Sequence, residues 1–384
     1  MQESTAAGIE QRTGTRRVSK RWGCVAAFAA FVAFSVWRTS PPSHPVDRVF
    51  QADGFVDENT CAECHQEEAA SFARTGHAQT LQLATTPQSR EVLRRIADSE
   101  AARLEGIRVD TQGDSIHAYH SREGRQHQLK LDWCFGSGRH ARTWVGTLED
   151  SWGAHDLVEF RWSWFHEDHG FAHTPGQPLK VSDTYFGGLG LLFDHPKTRR
   201  CFNCHCTYIP LDDGRLDSDR LIPNITCQRC HGPQQEHVDT EGEVFDTSWR
   251  NISQIDSIHR CAQCHRRADE MEPGQIRADN DGIVRFQPVG LLQSACFKNS
   301  SKLTCLTCHD PHLPLEAQDS KGIWQCTQCH DGSPEKHSTC RAGHRNDCLR
   351  CHMPAVRGEV PVRFTDHWIR IRERTEPAHA EPAP

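Results

Sequence analysis

The chain carries seven C-x-x-C pairs, and every one is followed at once by histidine. They are Cys61-Cys64-His65, Cys201-Cys204-His205, Cys227-Cys230-His231, Cys261-Cys264-His265, Cys305-Cys308-His309, Cys326-Cys329-His330 and Cys348-Cys351-His352. These motifs take fourteen of the 19 cysteines, and no C-x-x-C lacks its histidine. Histidine fills 25 of 384 positions, so seven chance coincidences have odds below about one in 10^8. Zinc ribbons need paired C-x-x-C but have no reason to place histidine after each second cysteine. A thioredoxin-like redox pair occurs once or twice in a chain, and disulfide scaffolds do not repeat one local spacing. C-x-x-C-H is the covalent haem c attachment site: two thiols bind one edge of the porphyrin, and the adjacent imidazole reaches the iron. The seven motif histidines are therefore candidate proximal ligands, and the fourteen cysteines candidate attachment points for seven haems.

Composition then explains how such a chain folds. Only 36% of residues are apolar, and adding the 27 glycines still leaves the share below the usual ~45–50%. Flat apolar cofactors are expected to replace the absent core, with the chain wrapped around them. The expected class is mainly α with little regular structure, wrapped around haem, with a small β-containing insert around residues 105–170. The net charge of −7 counts against nucleic acid as a partner, since phosphate binding needs a basic footprint.

Spacing divides the chain. Arg16, Arg17, Lys20 and Arg21 precede 16 uncharged residues, Trp22 to Trp37, and a Pro-rich exit follows at Pro41-Pro42-Ser43-His44-Pro45. That pattern reads as a basic tail (1–21), a signal anchor or signal peptide (22–37) and a linker (38–56). It places the haem domain, 57–374, on the periplasmic side of the membrane, anchored or secreted. Residues 375–384 read as a disordered tail. The first motif stands alone, 135 residues separate its histidine from Cys201, and the other six fall within 201–352. A helix is expected from Glu67 to about Arg95. Short β-like runs follow at Ile107–Val109, His127–Trp133, Arg142–Val145 and Leu157–Phe165. His117, His120, His127, His155, His166 and His169 read as surface residues of these β segments. Cys24, Cys134, Cys206, Cys296 and Cys340 lie outside the motifs, and the last four offer two disulfides in an oxidising compartment.

Eighteen histidines outside the motifs face seven open distal positions, while internal methionine offers only Met271 and Met353. Most sites are thus expected to be bis-histidine, with comparatively low potentials. His77, His237, His312 and His367 stand out, and His312, three residues past its own motif, reaches only a neighbouring haem. A second tier holds His344, His337, His259, His195, His173 and His140. Arg199, Arg200, Arg266, Arg267, Arg341 and Arg345 flank motifs and suit haem propionates.

The chain resembles the multihaem c-type cytochromes related to the tetrahaem electron carrier of hydroxylamine oxidation. The resemblance rests on Cys61-Ala-Glu-Cys-His with Gly76-His77-Ala78, on Gly136-Ser-Gly-Arg-His-Ala-Arg-Thr-Trp144, and on Cys227-Gln-Arg-Cys-His-Gly-Pro with Glu236-His237-Val238. Leu291-Leu-Gln-Ser-Ala-Cys296, Thr304-Cys-Leu-Thr-Cys-His-Asp-Pro-His312 and Cys348-Leu-Arg-Cys-His-Met-Pro354 leading to Thr365-Asp-His367 extend it. It implies that His77, His237, His312 and His367 are distal ligands, in a mainly helical fold that wraps haem. Two functions compete. The leading one is electron transfer between redox partner proteins, such as other cytochromes or a membrane quinol-oxidising complex. The alternative is a reductase or oxidase of a small nitrogen or sulfur species, which needs one five-coordinate haem. Catalytic relatives often place lysine after the active pair, and no C-x-x-C-K occurs here.

Overall fold

The computed structural model describes residues 53–122, 124–149, 155–166, 170–178, 180, 188–212, 215–318, 324–330, 348–357 and 361–371. All belong to the compact unit Ser43–Pro384. The apolar run 22–37, Cys24, Cys340, His337 and His344 lie outside the described residues. Among the described residues no helix is long and apolar enough to cross a membrane.

The chain is not mainly α. Its largest element is an antiparallel sheet of eight strands. They are β1 (Leu81–Leu83), β2 (Ile107–Asp110), β3 (Ile116–Arg122), β4 (Arg125–Phe135), β5 (Ala141–Glu149), β6 (His155–Phe165), β7 (Gly170–His173) and β8 (Gly190–Leu192). The path runs β2 to β7 in order, with β1 added to β4 and β8 added to β6. Each 11-residue strand serves two partners along one edge. β4 pairs with β3 up to Leu131 and then with β1 from Trp133 to Phe135. β6 pairs with β8 through Val158–Phe160 and with β7 from Trp162 on. The expected β-like runs coincide with strands, but the sheet reaches beyond 105–170 at both ends and holds an apolar core of its own. Overall apolar content concealed it, because the hydrophobic residues are concentrated here.

Period-two burial builds that core. Ile107 and Val109 of β2, Ile116 and Ala118 of β3, and Leu129 and Leu131 of β4 all turn inward. His120 turns inward with them and is buried, not on the surface as expected. The helix Pro87–Asp98 closes the face. Proline opens it at a position where no amide partner is needed, and Leu93 and Ile96 form its buried stripe. Trp144 Nε1 donates to Ser89 Oγ at 2.8 Å and ties this helix to β5. The single helix expected over 67–95 is broken: a helix Gln66–Phe72, a 3-10 turn His77–Gln79 and β1 come before Pro87.

The two ends of the strand path meet at Glu105, just before β2. Its carboxylate accepts from Arg161 Nε of β6 at 2.9 Å and bonds His173 Nε2 of β7 at 2.7 Å. Arg161 is fully buried, so this partner offsets the large cost of an interior charge. Burial alone would raise the Glu105 pKa, but the Arg161 and His173 hydrogen bonds outweigh it and hold the carboxylate below its usual 4.5. A depressed carboxylate stabilises the fold fully above its unfolded value and loses that stabilisation as pH falls through the folded value. Glu105→Gln should cost about 2 kcal/mol at pH 7 and remove this part of the stability loss below pH 4.5. Denaturation midpoints for both proteins at pH 7, 5, 4 and 3 check it, and identical acid profiles would reject it.

Candidate haem cluster

The motifs are placed by single helical turns. Positions i, i+3 and i+4 share one helix face, so both thiols and the imidazole of a C-x-x-C-H turn project to one side. In the first, fifth and sixth motifs the turn is closed by the histidine amide donating to the first cysteine carbonyl, at 2.8–2.9 Å. The first motif ends the helix Glu58–Cys64, capped by Asp57, whose side chain accepts from the Asn59 amide. The second and fourth end the longer helices His195–His205 and Gln254–His265. The third, fifth and seventh form one-turn helices at Cys227–His231, Cys305–Cys308 and Cys348–His352.

The residues between the paired cysteines fasten the motifs to one another and to the sheet. Phe202 of the second motif is fully buried. Its ring packs edge-on against Phe135 of β4 at 5.0 Å and Trp133 at 6.5 Å. Arg229 of the third motif donates to the Asn203 carbonyl and side-chain oxygens of the second motif, at 3.2 and 3.1 Å. Gln228 bonds both the amide and the carbonyl of Val56, ahead of the first motif.

Four motif histidines face a histidine from elsewhere. Ring centres are 6.2 Å apart for His65 and His237, 6.1 Å for His265 and His77, 6.2 Å for His231 and His312, and 6.2 Å for His309 and His367. Two imidazoles on opposite sides of one metal, with bonds of about 2 Å and about 1.1 Å more to each ring centre, stand about 6.2 Å apart. The donors are crossed: the segment after the first motif reaches the fourth, that after the third reaches the first, and that after the fifth reaches the third. Second partners orient the rings, as is usual for metal-binding histidine. The Nδ1 atoms of His237, His367 and His205 bond the carbonyls of Val244, Thr365 and Thr80 at 2.8, 2.8 and 2.9 Å. His312 Nδ1 bonds Asp310 at 3.1 Å. Each then has Nε2 left for another task. Burial lowers the pKa of His77, His205, His309 and His367, and lowers His265 to about 4 with help from the neighbouring imidazoles. These rings are neutral, the form that ligates a metal.

The attachment cysteines of different motifs also meet. Cys61 hydrogen-bonds Cys227, Cys204 hydrogen-bonds Cys264, and Cys261 hydrogen-bonds Cys305. One continuous cavity of about 2240 Å³ is bordered by the first five motifs and by His77, His237 and His312. Small-molecule pockets usually span about 300–1,000 Å³, so this volume suits several large groups. Paired thiols, facing neutral imidazoles and this cavity together fit covalently bound haem.

The other candidates are scattered. His205 contacts Phe135 at 5.0 Å, and no histidine ring faces it among the described residues. His330 and His352 likewise face no histidine ring among the described residues. His195 is exposed at the start of its helix, and His259 is half-buried on the helix of the fourth motif. His173 belongs to the Glu105 cluster, and His140 is exposed with its ring on Phe364 at 5.8 Å. Cys134, Cys206 and Cys296 are free thiols, the first two buried. Missed in the sequence were the roles of Phe202, Gln228 and Arg229, for which the motif spacing gives no signal.

Residues 60–121 and 189–232 match the family model described as cytochrome c554 and c-prime. The dissimilatory sulfite reductase MccA of Wolinella succinogenes is 22% identical over 176 residues, which are 36% of this chain and 23% of that protein. The chain thus spans under a quarter of that relative. The outer cell wall cytochrome OcwA aligns over 82% of this chain and 79% of its own, with a TM-score of 0.49 and 15% identity. Repeated haem c attachment motifs, the cavity they border and the cytochrome c554 match identify this chain as a multihaem c-type cytochrome.

Proposed function

We propose that the chain holds seven covalent haems and conducts electrons between redox partner proteins outside the cytoplasmic membrane. The observation that carries this reading is the set of four facing histidine pairs at 6.1–6.2 Å. Iron closed by two imidazoles has no site for a substrate, and haem then supplies one-electron redox chemistry. His77, His237, His312 and His367 are the distal ligands in this reading. The thiol hydrogen bonds support a first site beside the third, a second beside the fourth and a fourth beside the fifth. Cys64, Cys329 and Cys351 are exposed, so the first, sixth and seventh sites lie where partners can reach them. Export rests on the basic tail and apolar run 1–37, and on haem c attachment itself. Two measurements test the reading. The mass of the purified protein should exceed its polypeptide by seven haems, and a reductive titration should take up seven electrons. Fewer than seven of either would contradict the count.

A second reading keeps one catalytic site at the second, sixth or seventh motif, since among the described residues no histidine ring faces His205, His330 or His352. The likeness to a sulfite reductase points the same way. Under the leading reading, sulfite, nitrite and hydroxylamine leave the optical spectrum unchanged. A spectral shift on adding any of them, lost in His205→Ala, would place chemistry at the second motif.

A further inference from the structure

The Gly136–His140 turn between β4 and β5 walls a second cleft, of about 570 Å³, separate from the motif cavity. Arg74, Ser137, Arg139, His140 and His166 line it with a single carboxylate, Glu316, which pairs with Arg139. Beneath the turn is Arg142, only 8% exposed. One of its Nη atoms donates to the Ser137 carbonyl at 3.3 Å, while its buried Nε has no hydrogen-bond partner. No carboxylate pairs with it among the described residues. The turn lies directly on this guanidinium: a Cβ on Gly138, whose φ is +86°, would come within 2.7 Å of Nε. Arginine is rarely buried without a counter-charge, and an unpaired interior charge costs several kcal/mol. Arg142 does not itself border the cleft, so an anion there would offset that cost electrostatically, across the turn.

We propose that this cleft is an oxyanion site, with Arg142 supplying fixed charge from below and Arg74, Arg139 and the Ser137 hydroxyl supplying donors at the mouth. Guanidinium recognises a planar, two-oxygen anion best, so the ligand is a carboxylate or a small oxyanion of similar shape. That chemistry has two sources. One is a propionate of a neighbouring haem, since Arg74 and Gly76 share a turn with His77, and His140 packs on Phe364 near His367. The other is a free anion from solution.

The test uses the full haem-loaded chain and its Arg142→Met and Arg139→Gln variants, with calorimetric titration of sodium acetate and sodium sulfite and an equilibrium redox titration. A free-anion site binds acetate or sulfite in the parent protein, weakens at least about tenfold in Arg142→Met, and leaves every haem potential in place. A propionate site binds neither salt, and Arg142→Met lowers the midpoint of one haem alone. Arg139→Gln, on the surface, moves the same readout in the same direction and keeps the test available if Arg142→Met does not fold. A parent protein that binds neither salt, with potentials unmoved in both variants, would overturn the proposal and leave Arg142 a packing residue.

Discussion

Replacing His77 with alanine should turn one haem of the set from low-spin to high-spin and leave the others unchanged. The His77 ring stands 6.1 Å from that of His265, in the fourth motif. Burial keeps the His77 imidazole neutral, and its carbonyl accepts from the Ile225 amide at 3.1 Å, so the turn that carries it is held independently of the ring. Alanine therefore removes a ligand without moving the backbone. Added imidazole should restore the low-spin signal, which a merely structural defect would not allow. The same substitution at His237, His312 or His367 should open a different single site. A His77→Ala spectrum that stays fully low-spin would remove His77 from the ligand set.

The second large effect is on stability. Phe202 lies between the second motif's cysteines, yet its whole side chain is spent on the sheet, against Phe135 and Trp133. Phe202→Ala leaves a cavity at the joint between sheet and haem cluster and should cost about 3–5 kcal/mol. Phe202→Leu keeps most of the volume and should cost under about 1.5 kcal/mol. Urea midpoints of the haem-loaded proteins measure both. A Phe202→Ala loss below about 1 kcal/mol would mean that the sheet and the second motif do not share a core.

These two residues also separate what sequence reveals from what it hides. The attachment motifs are legible because their chemistry is local: one helical turn contains the entire donor set. Facing histidines are tertiary facts: eighteen non-motif histidines compete for seven positions, and among the described residues the rings of His77, His237, His312 and His367 stand opposite motif histidines. His337 and His344 lie outside the described residues. The role of Phe202 is hidden because any residue satisfies the spacing, and only the sheet explains an aromatic there. The sheet itself was underestimated for two reasons. Averaged over the chain, apolar content looks too low for a core, although Leu129, Leu131, Trp144, Phe160 and Trp162 concentrate it in one region. The strands β1 and β8 are three residues each, too short to show a period, and become strands only by pairing with the long β4 and β6. The helix read across Glu67–Arg95 failed where Gly76 and Pro87 punctuate it. Arg142 falls in an expected β-like run, and only its burial with no carboxylate partner among the described residues makes it notable.

Low-temperature EPR of the purified, oxidised full chain, quantified against a haem count by mass, tests the central claim most directly. Bis-histidine closure predicts low-spin iron at least at the first, third, fourth and fifth motifs, where the facing rings stand. High-spin iron at any of these four, traced by the matching His→Ala variants, would contradict it.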